Sequence, residues 1–273
     1  MEERTQVQTW MAGDAAERWQ RMRAARMASM AAATKLMLDL AGVNPGCRVL
    51  DVAAGTGDQT VEAALRVGPS GHVLATDLSP NMLKAAAEAV HEAGLTNVDT
   101  YVADCQELNL EPGSFDAAIC RMGLMFFPDR QKALGCIQRV LKPLARLSAA
   151  VWSTPERNPW LLIPTQIVEQ HGGATATMRI GFSLAEPGLL ERELASAGFH
   201  DVSVEAVPSN RHFDSFEAAT ESLKATPAAE AIRQLPEGEQ ASVWSEIQAH
   251  LRRFEASSGY EIPGEALVAV GTK

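Results

Sequence analysis

The feature that most constrains the fold of this 273-residue chain is a short apolar run that ends in a glycine turn. Residues 49–58 read Val-Leu-Asp-Val-Ala-Ala-Gly-Thr-Gly-Asp, which predicts a β-strand that turns sharply into a helix beginning near Asp58. Gly55 and Gly57 let the backbone turn tightly and approach a ligand, and the unpaired N–H groups at the start of the helix favour a negative group. A strand, glycine turn and helix in this order are typical of an α/β sheet that binds a nucleotide-like ligand.

Further apolar runs alternate with helical stretches along the chain. The predicted strands cover residues 48–54, 73–76, 98–103, 115–121 and 146–152, with later strands at 201–207 and 266–272. Ser79 and Pro80 begin a predicted helix that runs to Ala93 and ends at Gly94. Strands separated by helices need crossover connections, so we predict a Rossmann-like, doubly wound, mostly parallel seven-stranded α/β sheet.

The rest of the chain is arranged around this core in one predicted domain, residues 1–273. Residues 1–45 are predicted to form an N-terminal helical cap, 46–153 the ligand-binding core, 154–198 a lid insertion followed by a helix (186–197), and 199–273 the C-terminal strands and helices. Three prolines and two glycines between residues 155 and 173 predict short packed turns rather than a long helix. We expect residues from about 155 to 182, together with the N-terminal helices, to form a mobile cover over the carboxyl edge of the sheet that selects the bound molecule.

Charge and composition exclude several classes of partner. The formal net charge is −10 (24 Lys and Arg against 34 Asp and Glu), so DNA and RNA are repelled on average and nucleic acid is not expected as a partner. The four cysteines form no CxxC pair, which predicts reduced thiols and no metal site. No apolar run reaches the roughly 18 residues of a membrane span. We therefore expect no stable membrane insertion and a cytoplasmic location.

Three carboxylates follow the first three predicted strands at one edge of the sheet. Asp51 lies four residues before Gly55, Asp77 lies twenty residues after Gly57 (77 − 57), and Asp104 ends the third predicted strand. Open α/β sheets bind ligands at this edge, where Asp77 can accept ribose hydroxyls and Asp104 an adenine amino group. An acid beneath the loop suits a ligand carrying an ammonium and a sulfonium better than a pyrophosphate. Helix capping by Asp77 and a surface turn at Asp104 are the structural alternatives.

Together these motifs resemble the class I S-adenosylmethionine-dependent methyltransferases over about residues 45–153. Residues 51–57 resemble the first motif of that family, and residues 115–122 and 139–143 also fit, most closely its ubiquinone/menaquinone-biosynthesis C-methyltransferase-like branch. The resemblance implies S-adenosylmethionine as cofactor, with the methionine amino group near Gly55 and the main chain of Arg121. The cofactor contacts that it implies are Asp51, Ala53, Gly55, Thr56, Gly57, Asp77, Leu78, Met82, Asp104, Cys105 and Arg121.

One position departs from the family pattern. The family usually has two glycines after Lys-Pro in the turn before the fifth strand, whereas this chain has Leu144 and Ala145. Side chains other than glycine adopt a positive φ only at a cost, so we expect a reshaped turn far from the cofactor.

The sequence gives weaker signals for the residues that contact the methyl acceptor than for those that bind the cofactor. Residues 122–127 (Met-Gly-Leu-Met-Phe-Phe) are placed to line an apolar acceptor pocket or to end a buried core, and they lack the polar-Pro-Pro-aromatic run of DNA amino-methylating proteins. His171 and His212 are the candidate general bases, but a surface or structural role is favoured for each because nothing in the sequence places either beside the sulfonium.

The N-terminal segment offers two further features. Trp10 and Trp19 are candidates to close the site, with packing as the default role. Four arginines between residues 18 and 26 form a basic helix, for which a solvated face is favoured over contact with an anionic substrate or a membrane surface: Arg18, Arg21, Arg23 and Arg26.

We therefore predict S-adenosylmethionine-dependent methyl transfer to a small-molecule acceptor, such as a quinone-like or phenolic compound or another secondary metabolite. Direct displacement from a sulfonium depends mainly on proximity and orientation. Two alternatives stay open. One is a module that binds S-adenosylmethionine without transferring methyl. The other is an NAD-dependent oxidoreductase, which shares the glycine turn and Asp77 but gives no role to Asp51 or Asp104. The sequence leaves open C, N or O attack and the oligomeric state.

Overall fold

The computed structural model describes residues 15–273, except for the side chains of Ala15 and Arg18. The expectations for Trp10 and for the Arg18 side chain thus lie outside the described residues. Helices of the described part are α1 (Ala15–Arg21), α2 (Arg23–Leu40), α3 (Asp58–Val67), α4 (Pro80–Glu92), α5 (Arg130–Val140), α6 (Pro159–Gln170), α7 (Ala176–Arg179), α8 (Leu189–Ser196), α9 (Phe216–Lys224), α10 (Pro227–Arg233) and α11 (Glu237–Leu251). Its strands are β1 (Arg48–Val52), β2 (His72–Asp77), β3 (Val98–Val102), β4 (Phe115–Arg121), β5 (Leu141–Trp152), β6 (His200–Pro208), β7 (Arg211–Phe213), β8 (Glu255–Ala256), β9 (Gly259–Ile262) and β10 (Glu265–Thr272).

The main sheet has seven strands in the order β3-β2-β1-β4-β5-β10-β6. Strands β1 to β5 pair in parallel, and β10 lies antiparallel between β5 and β6. The predicted Rossmann-like, mostly parallel seven-stranded sheet is therefore confirmed. Because β1 pairs with both β2 and β4, the strand order reverses at this pair, and a crevice opens at the carboxyl ends of β1 and β4.

Helices cover both faces of this sheet. On one face, Leu134 and Ile137 of α5 and Leu194 of α8 pack with buried strand residues such as Leu50 and Leu147. The opposite face is covered by α2 and α3, whose apolar side chains pack against Val49, Ile119 and Val268. Central strands buried on two faces read as continuous apolar runs, which is why β1 and β4 are so easily predicted.

The start and end of α4 follow the predicted signals. The Ser79 hydroxyl accepts a hydrogen bond from the Met82 N–H at 3.4 Å, Pro80 occupies the first helical position, and Gly94 has a φ of 69°. These interactions satisfy backbone groups that the helix ends would otherwise leave unpaired.

A second hydrophobic core lies outside the main sheet. Helices α6, α9, α10 and α11 pack with the three-stranded sheet β7-β9-β8. Trp160 of α6 stacks on Phe213 of β7 with ring centroids 5.0 Å apart, and Val243, Ile247 and Leu251 of α11 are fully buried. The segment after β5 and the segment between β6 and β10 thus share one core.

The prediction of short turns in this region is wrong, because α6 spans twelve residues. Pro159 stands at the first helical position, where no backbone donor is needed, and Pro164 lies inside the helix and removes one hydrogen bond. Burial of Trp160, Ile163 and Ile167 in the second core outweighs that loss.

The position that departs from the family pattern lies inside β5, where the pairing with β4 shifts register between Phe115 and Ala117. Leu144 adopts the left-handed conformation that glycine usually takes, with a φ of 65°, and its side chain is 76% exposed. The Leu144 N–H donates to the carbonyl of Lys273 at 3.2 Å, and the Lys273 N–H donates to the carbonyl of Ala145 at 2.9 Å. These main-chain bonds hold the turn in place despite the side chain.

Candidate functional site

The glycine turn joins the carboxyl end of β1 to α3. Ala53, Gly55 and Gly57 all have positive φ, at 54°, 58° and 83°. A Cβ on Gly57 would lie 2.9 Å from the Cα of Ala86 in α4, so only glycine allows α4 to pack this closely. The loop is therefore fixed by its neighbours and presents its backbone toward the crevice between β1 and β4.

Asp51 lies beneath this loop and is fully buried. Its carboxylate accepts hydrogen bonds from the Thr60 hydroxyl at 2.5 Å and the Gln59 amide at 3.1 Å, both at the start of α3. Burial raises the pKa of Asp51 to about 7, against the lowering effect of these two hydrogen bonds. Asp51 is thus a buried acid that side chains at the start of α3 hold beneath the loop.

Asp77 ends β2 and connects that strand to the loop. One carboxylate oxygen accepts from the Gly55 N–H at 2.9 Å, and the other accepts from the Ser79 N–H at 2.9 Å. Burial raises the pKa of Asp77, while the hydrogen bonds from backbone N–H groups oppose this rise. The hydroxyl of Ser79 provides the α4 cap, so the helix-capping interpretation of Asp77 is not needed.

The third predicted acid lies at the same edge. Asp104 follows β3, and one of its oxygens accepts from the Gln106 N–H at 2.9 Å at the start of a short 3₁₀ turn. Cys105, the next residue, is buried, and desolvation raises the pKa of its thiol. Leu78 is 40% exposed, whereas Met82 is buried against Trp19. The structure therefore brings all three acids to the carboxyl edge of the sheet.

A cluster of arginines that the sequence analysis did not assemble surrounds Asp58 at the start of α3. Arg23, Arg26 and Arg121 contact this single carboxylate at 3.1, 2.6 and 3.2 Å. Asp58 is 2% exposed. Three guanidinium groups on one carboxylate leave an excess of positive charge in a buried place, beside the N-terminus of a helix.

Arg26 links this cluster to the loop. Its guanidinium donates to the Thr56 hydroxyl at 3.0 Å and to the carbonyl of Trp19 at 2.7 Å, and it lies 4.7 Å from the centre of the Trp19 ring. The Trp19 ring also lies close to Gly55, because a Cβ atom added to this glycine would be 3.8 Å from the ring nitrogen. Helix α1 thus lies over the glycine loop. The solvated-face interpretation is wrong for Arg26, which is buried.

Residues 122–127, which the sequence offered as an acceptor pocket or a buried core end, differ in how deeply they are buried. Leu124 and Met125 are fully buried in the main core, whereas Met122, Phe126 and Phe127 are partly buried. A Cβ on Gly123 would lie 2.5 Å from the Cβ of Ala53, so the β4 turn and the glycine loop are in close contact.

The contacts that the structure shows for the two candidate bases are with carboxylates near the surface. His171 lies at the end of α6, where its ring nitrogens are 3.4 Å from Glu239 and 3.2 Å from Glu246. The ion pair with Glu246 is the main reason that the pKa of His171 is raised. His212 lies between Glu261 and Asp214 at 3.1 and 3.3 Å, and its side chain is 45% exposed. The described contacts of both histidines are surface ion pairs.

Comparison with known proteins adds a family match. Residues 27–163 match the sequence profile of the ubiE/COQ5 methyltransferase family, which covers half of the chain. The match includes the glycine loop, the three acids and both strands that flank the crevice.

Individual relatives agree with this match. The chain is 39% identical over 125 residues to the ubiquinone/menaquinone biosynthesis C-methyltransferase UbiE of Teredinibacter turnerae, covering 45% of this chain and 50% of that protein. It is 39% identical over 126 residues to the demethylmenaquinone methyltransferase of Listeria welshimeri, covering 46% and 53%. The matched region thus spans about half the length of these curated relatives.

Solved structures agree on the fold. A SAM-dependent methyltransferase from Aquifex aeolicus superimposes with a TM-score of 0.56 at 23% identity, covering 72% of this chain and 93% of that one. Among the described residues, no helix is long and apolar enough to cross a membrane.

Proposed function

The chain belongs to the ubiE/COQ5 methyltransferase family, whose cofactor is S-adenosylmethionine, and we propose that it methylates a quinone-like or phenolic small molecule. The observation that carries the proposal is the convergence of a strained glycine loop and three strand-end carboxylates at one edge of the sheet. This edge is where open α/β sheets bind their ligands.

The residues present fit the cofactor group by group. Each oxygen of the Asp77 carboxylate accepts one backbone N–H and retains acceptor capacity for a ribose hydroxyl. We assign Asp104, whose carboxylate also accepts hydrogen bonds from Gln106, to the adenine amino group. The positive charge left over around Asp58 suits the carboxylate of the methionine portion. Burial raises the pKa of Asp51 to about 7, and a bound ammonium group beside it would favour its ionised form.

The cofactor supplies an electrophilic methyl group, and the protein must hold the acceptor in line with it and exclude water. Helix α1 contributes to this exclusion by placing Trp19 over Gly55. Both histidines lie in surface ion pairs, so we assign neither of them a role in proton transfer.

We assign selection of the acceptor to the segment from residue 155 to residue 182. Support comes from its position: the ring of Trp152 lies 3.8 Å from a Cβ on Gly181, and the Ser183 hydroxyl donates to the carbonyl of Met125 at 2.8 Å. Trp152 ends β5 and Met125 follows β4, so this segment adjoins the edge that would hold the methyl group. The acidic net charge favours a small molecule over nucleic acid, and a cytoplasmic location remains a prediction.

A methyl-transfer assay tests the proposal. The protein is incubated with S-adenosylmethionine carrying a labelled methyl group and a panel of reduced quinones, phenols and catechols, with duplex DNA and tRNA as comparison substrates. We expect label in at least one phenolic or quinol product and none in nucleic acid.

Asp77→Asn is expected to reduce the rate at limiting cofactor. The matched control is Asp99→Asn, because Asp99 is an exposed acid of β3 that contacts His72 at the surface. Binding of S-adenosylmethionine without transfer to any of these acceptors would favour the binding-module alternative. Labelled nucleic acid would contradict the substrate class.

A further inference from the structure

One arginine of the second core has no role in the site described above. Arg211 opens β7, three residues after the end of β6. Its guanidinium carbon lies 5.7 Å from the centre of the Trp152 ring and 5.6 Å from the centre of the Trp160 ring. Both distances are within the range of cation–π contact, so two indole rings hold this side chain in place.

The Arg211 guanidinium has no anionic partner among the described residues. No ion pair or side-chain hydrogen bond joins it to any residue of the 15–273 range. The neighbouring residue His212, in contrast, contacts the carboxylates of Asp214 and Glu261. Burial lowers the pKa of Arg211 to about 10, and the positive charge of Arg26 lowers it further. A partly buried charge without a counter-ion among the described residues is costly, which points to a bound partner of opposite charge.

The position of Arg211 indicates what this partner is. Trp152 is the last residue of β5 and is partly buried, and both it and Met122, the residue after β4, adjoin the two hydrophobic clusters of the main sheet. Arg26, the positively charged neighbour, is bound to Thr56 of the glycine loop. Arg211 therefore lies where the second core meets the carboxyl edge of the main sheet, close to the loop that would hold the cofactor.

The two indole rings add a second property. Trp160 is buried and stacks on Phe213, so of the two rings the partly buried Trp152 is the one that can meet a ligand. A flat apolar surface favours an aromatic ring, and a guanidinium beside it favours a negatively charged oxygen attached to that ring. We propose that Arg211, held by Trp152 and Trp160, binds the anionic oxygen of a planar aromatic acceptor, either a phenolate or a ring carboxylate. This inference rests on the proposed function, since it assigns the acceptor end of the same site.

Calorimetric titration with defined probes tests this assignment. The full-length protein is first saturated with S-adenosylhomocysteine, so that a free carboxylate cannot compete for the cofactor position. It is then titrated with 2-naphthoate as the carboxylate, 4-nitrophenolate as the phenolate and 2-naphthamide as an uncharged ring of similar shape.

We expect wild-type protein to bind at least one anionic probe more tightly than the amide, and the tighter anion identifies the source of the charge. Arg211→Gln should weaken binding of that anion by about tenfold to a hundredfold, the range for loss of a hydrogen bond to a charged group. Amide binding should stay within about twofold, the scale of scatter in such measurements. Arg211→Lys keeps the positive charge but loses the planar guanidinium, so it should bind the anion more tightly than Arg211→Gln and less tightly than wild type. If Arg211→Gln does not fold, the lysine variant replaces it in the test.

Arg48→Gln is the matched control. The Arg48 guanidinium also stacks on an aromatic ring, 5.0 Å from the centre of Phe115, but it begins β1 at the opposite edge of the sheet. This variant should bind every probe as wild type does.

Three outcomes would overturn the assignment. They are equal affinity of wild type for anion and amide, unchanged anion affinity in Arg211→Gln, and an equal loss of S-adenosylhomocysteine affinity in that variant, which would make Arg211 a cofactor ligand. Failure of wild-type protein to bind S-adenosylhomocysteine at all would instead count against the proposed function, so the two failures are distinguishable.

Discussion

Replacing Asp77 by asparagine should weaken cofactor binding while the fold is kept. Asp77 holds the Gly55 and Ser79 N–H groups, each at 2.9 Å, and it is the group that we assign to the ribose hydroxyls. Asparagine keeps a single acceptor oxygen, so it can hold one of these N–H groups but not both, and it offers no negative charge to the ribose.

The magnitude follows from the bonds that are lost. Hydrogen bonds to charged groups contribute about 1.5–3 kcal/mol each, so losing one to the ribose corresponds to roughly tenfold to a hundred-and-fiftyfold weaker binding. Asp77→Ala removes every acceptor, so it should weaken cofactor binding by at least as much as asparagine does, about 1.5–3 kcal/mol, and by more if the loop itself loosens. The Ser79 cap of α4 is independent of Asp77, so the helix should persist in both variants.

Titration calorimetry with S-adenosylhomocysteine measures the affinity, and circular dichroism with thermal unfolding of the unliganded protein reports on the fold. Asp99→Asn removes one negative charge at the exposed β3 strand and should change neither quantity. Affinity within about twofold of wild type in Asp77→Asn would refute the ribose assignment, since loss of even a single such bond exceeds that change. Unfolding of both Asp77 variants would show that the side chain is structural.

Three other changes test the account. Leu144→Gly should stabilise the protein by roughly 0.5–1 kcal/mol, because Leu144 is exposed and holds a φ of 65°, and a urea titration that shows lower stability would contradict the strain at this turn. Gly57→Ala should lower the melting temperature and the cofactor affinity together, since its Cβ would meet Ala86 at 2.9 Å; wild-type values for both would mean that the loop adapts freely. Asp51 keeps its proton to about pH 7 in the folded chain but only to about 3.9 when unfolded, so its contribution to stability falls as pH rises through that window. As the pH rises from about 4 to about 7, Asp51→Asn should accordingly gain stability relative to wild type in urea unfolding, and a difference that does not vary with pH would refute the raised pKa.

The parts of the fold that sequence patterns predicted are those set by neighbouring residues. The β1 strand, the glycine turn and the α4 helix each follow from a few adjacent side chains, and Ser79, Pro80 and Gly94 mark the helix ends correctly. The three acids could be placed at one edge because parallel strands all end there.

The parts that could not be predicted depend on contacts between distant residues. Arg26 and Asp58 are 32 positions apart, and the local pattern of arginines indicated a solvated helix instead. The prolines at 159, 164 and nearby predicted no long helix, but α6 forms because its apolar side chains are buried against α11. Strands β7 to β9 are only two to four residues long, too short for a period-2 pattern, so nothing in the sequence distinguished Arg211.

The central claim is that the edge formed by β1, β2 and β4 binds S-adenosylmethionine to support methyl transfer. The most direct test is calorimetric titration of wild-type protein with S-adenosylmethionine, S-adenosylhomocysteine and NAD under the same conditions. We predict one-to-one binding of the first two in the micromolar range and no binding of NAD, because an acid lies beneath the loop, where NAD would place its pyrophosphate. Tight binding of NAD, or no heat with either adenosyl compound, would contradict the account.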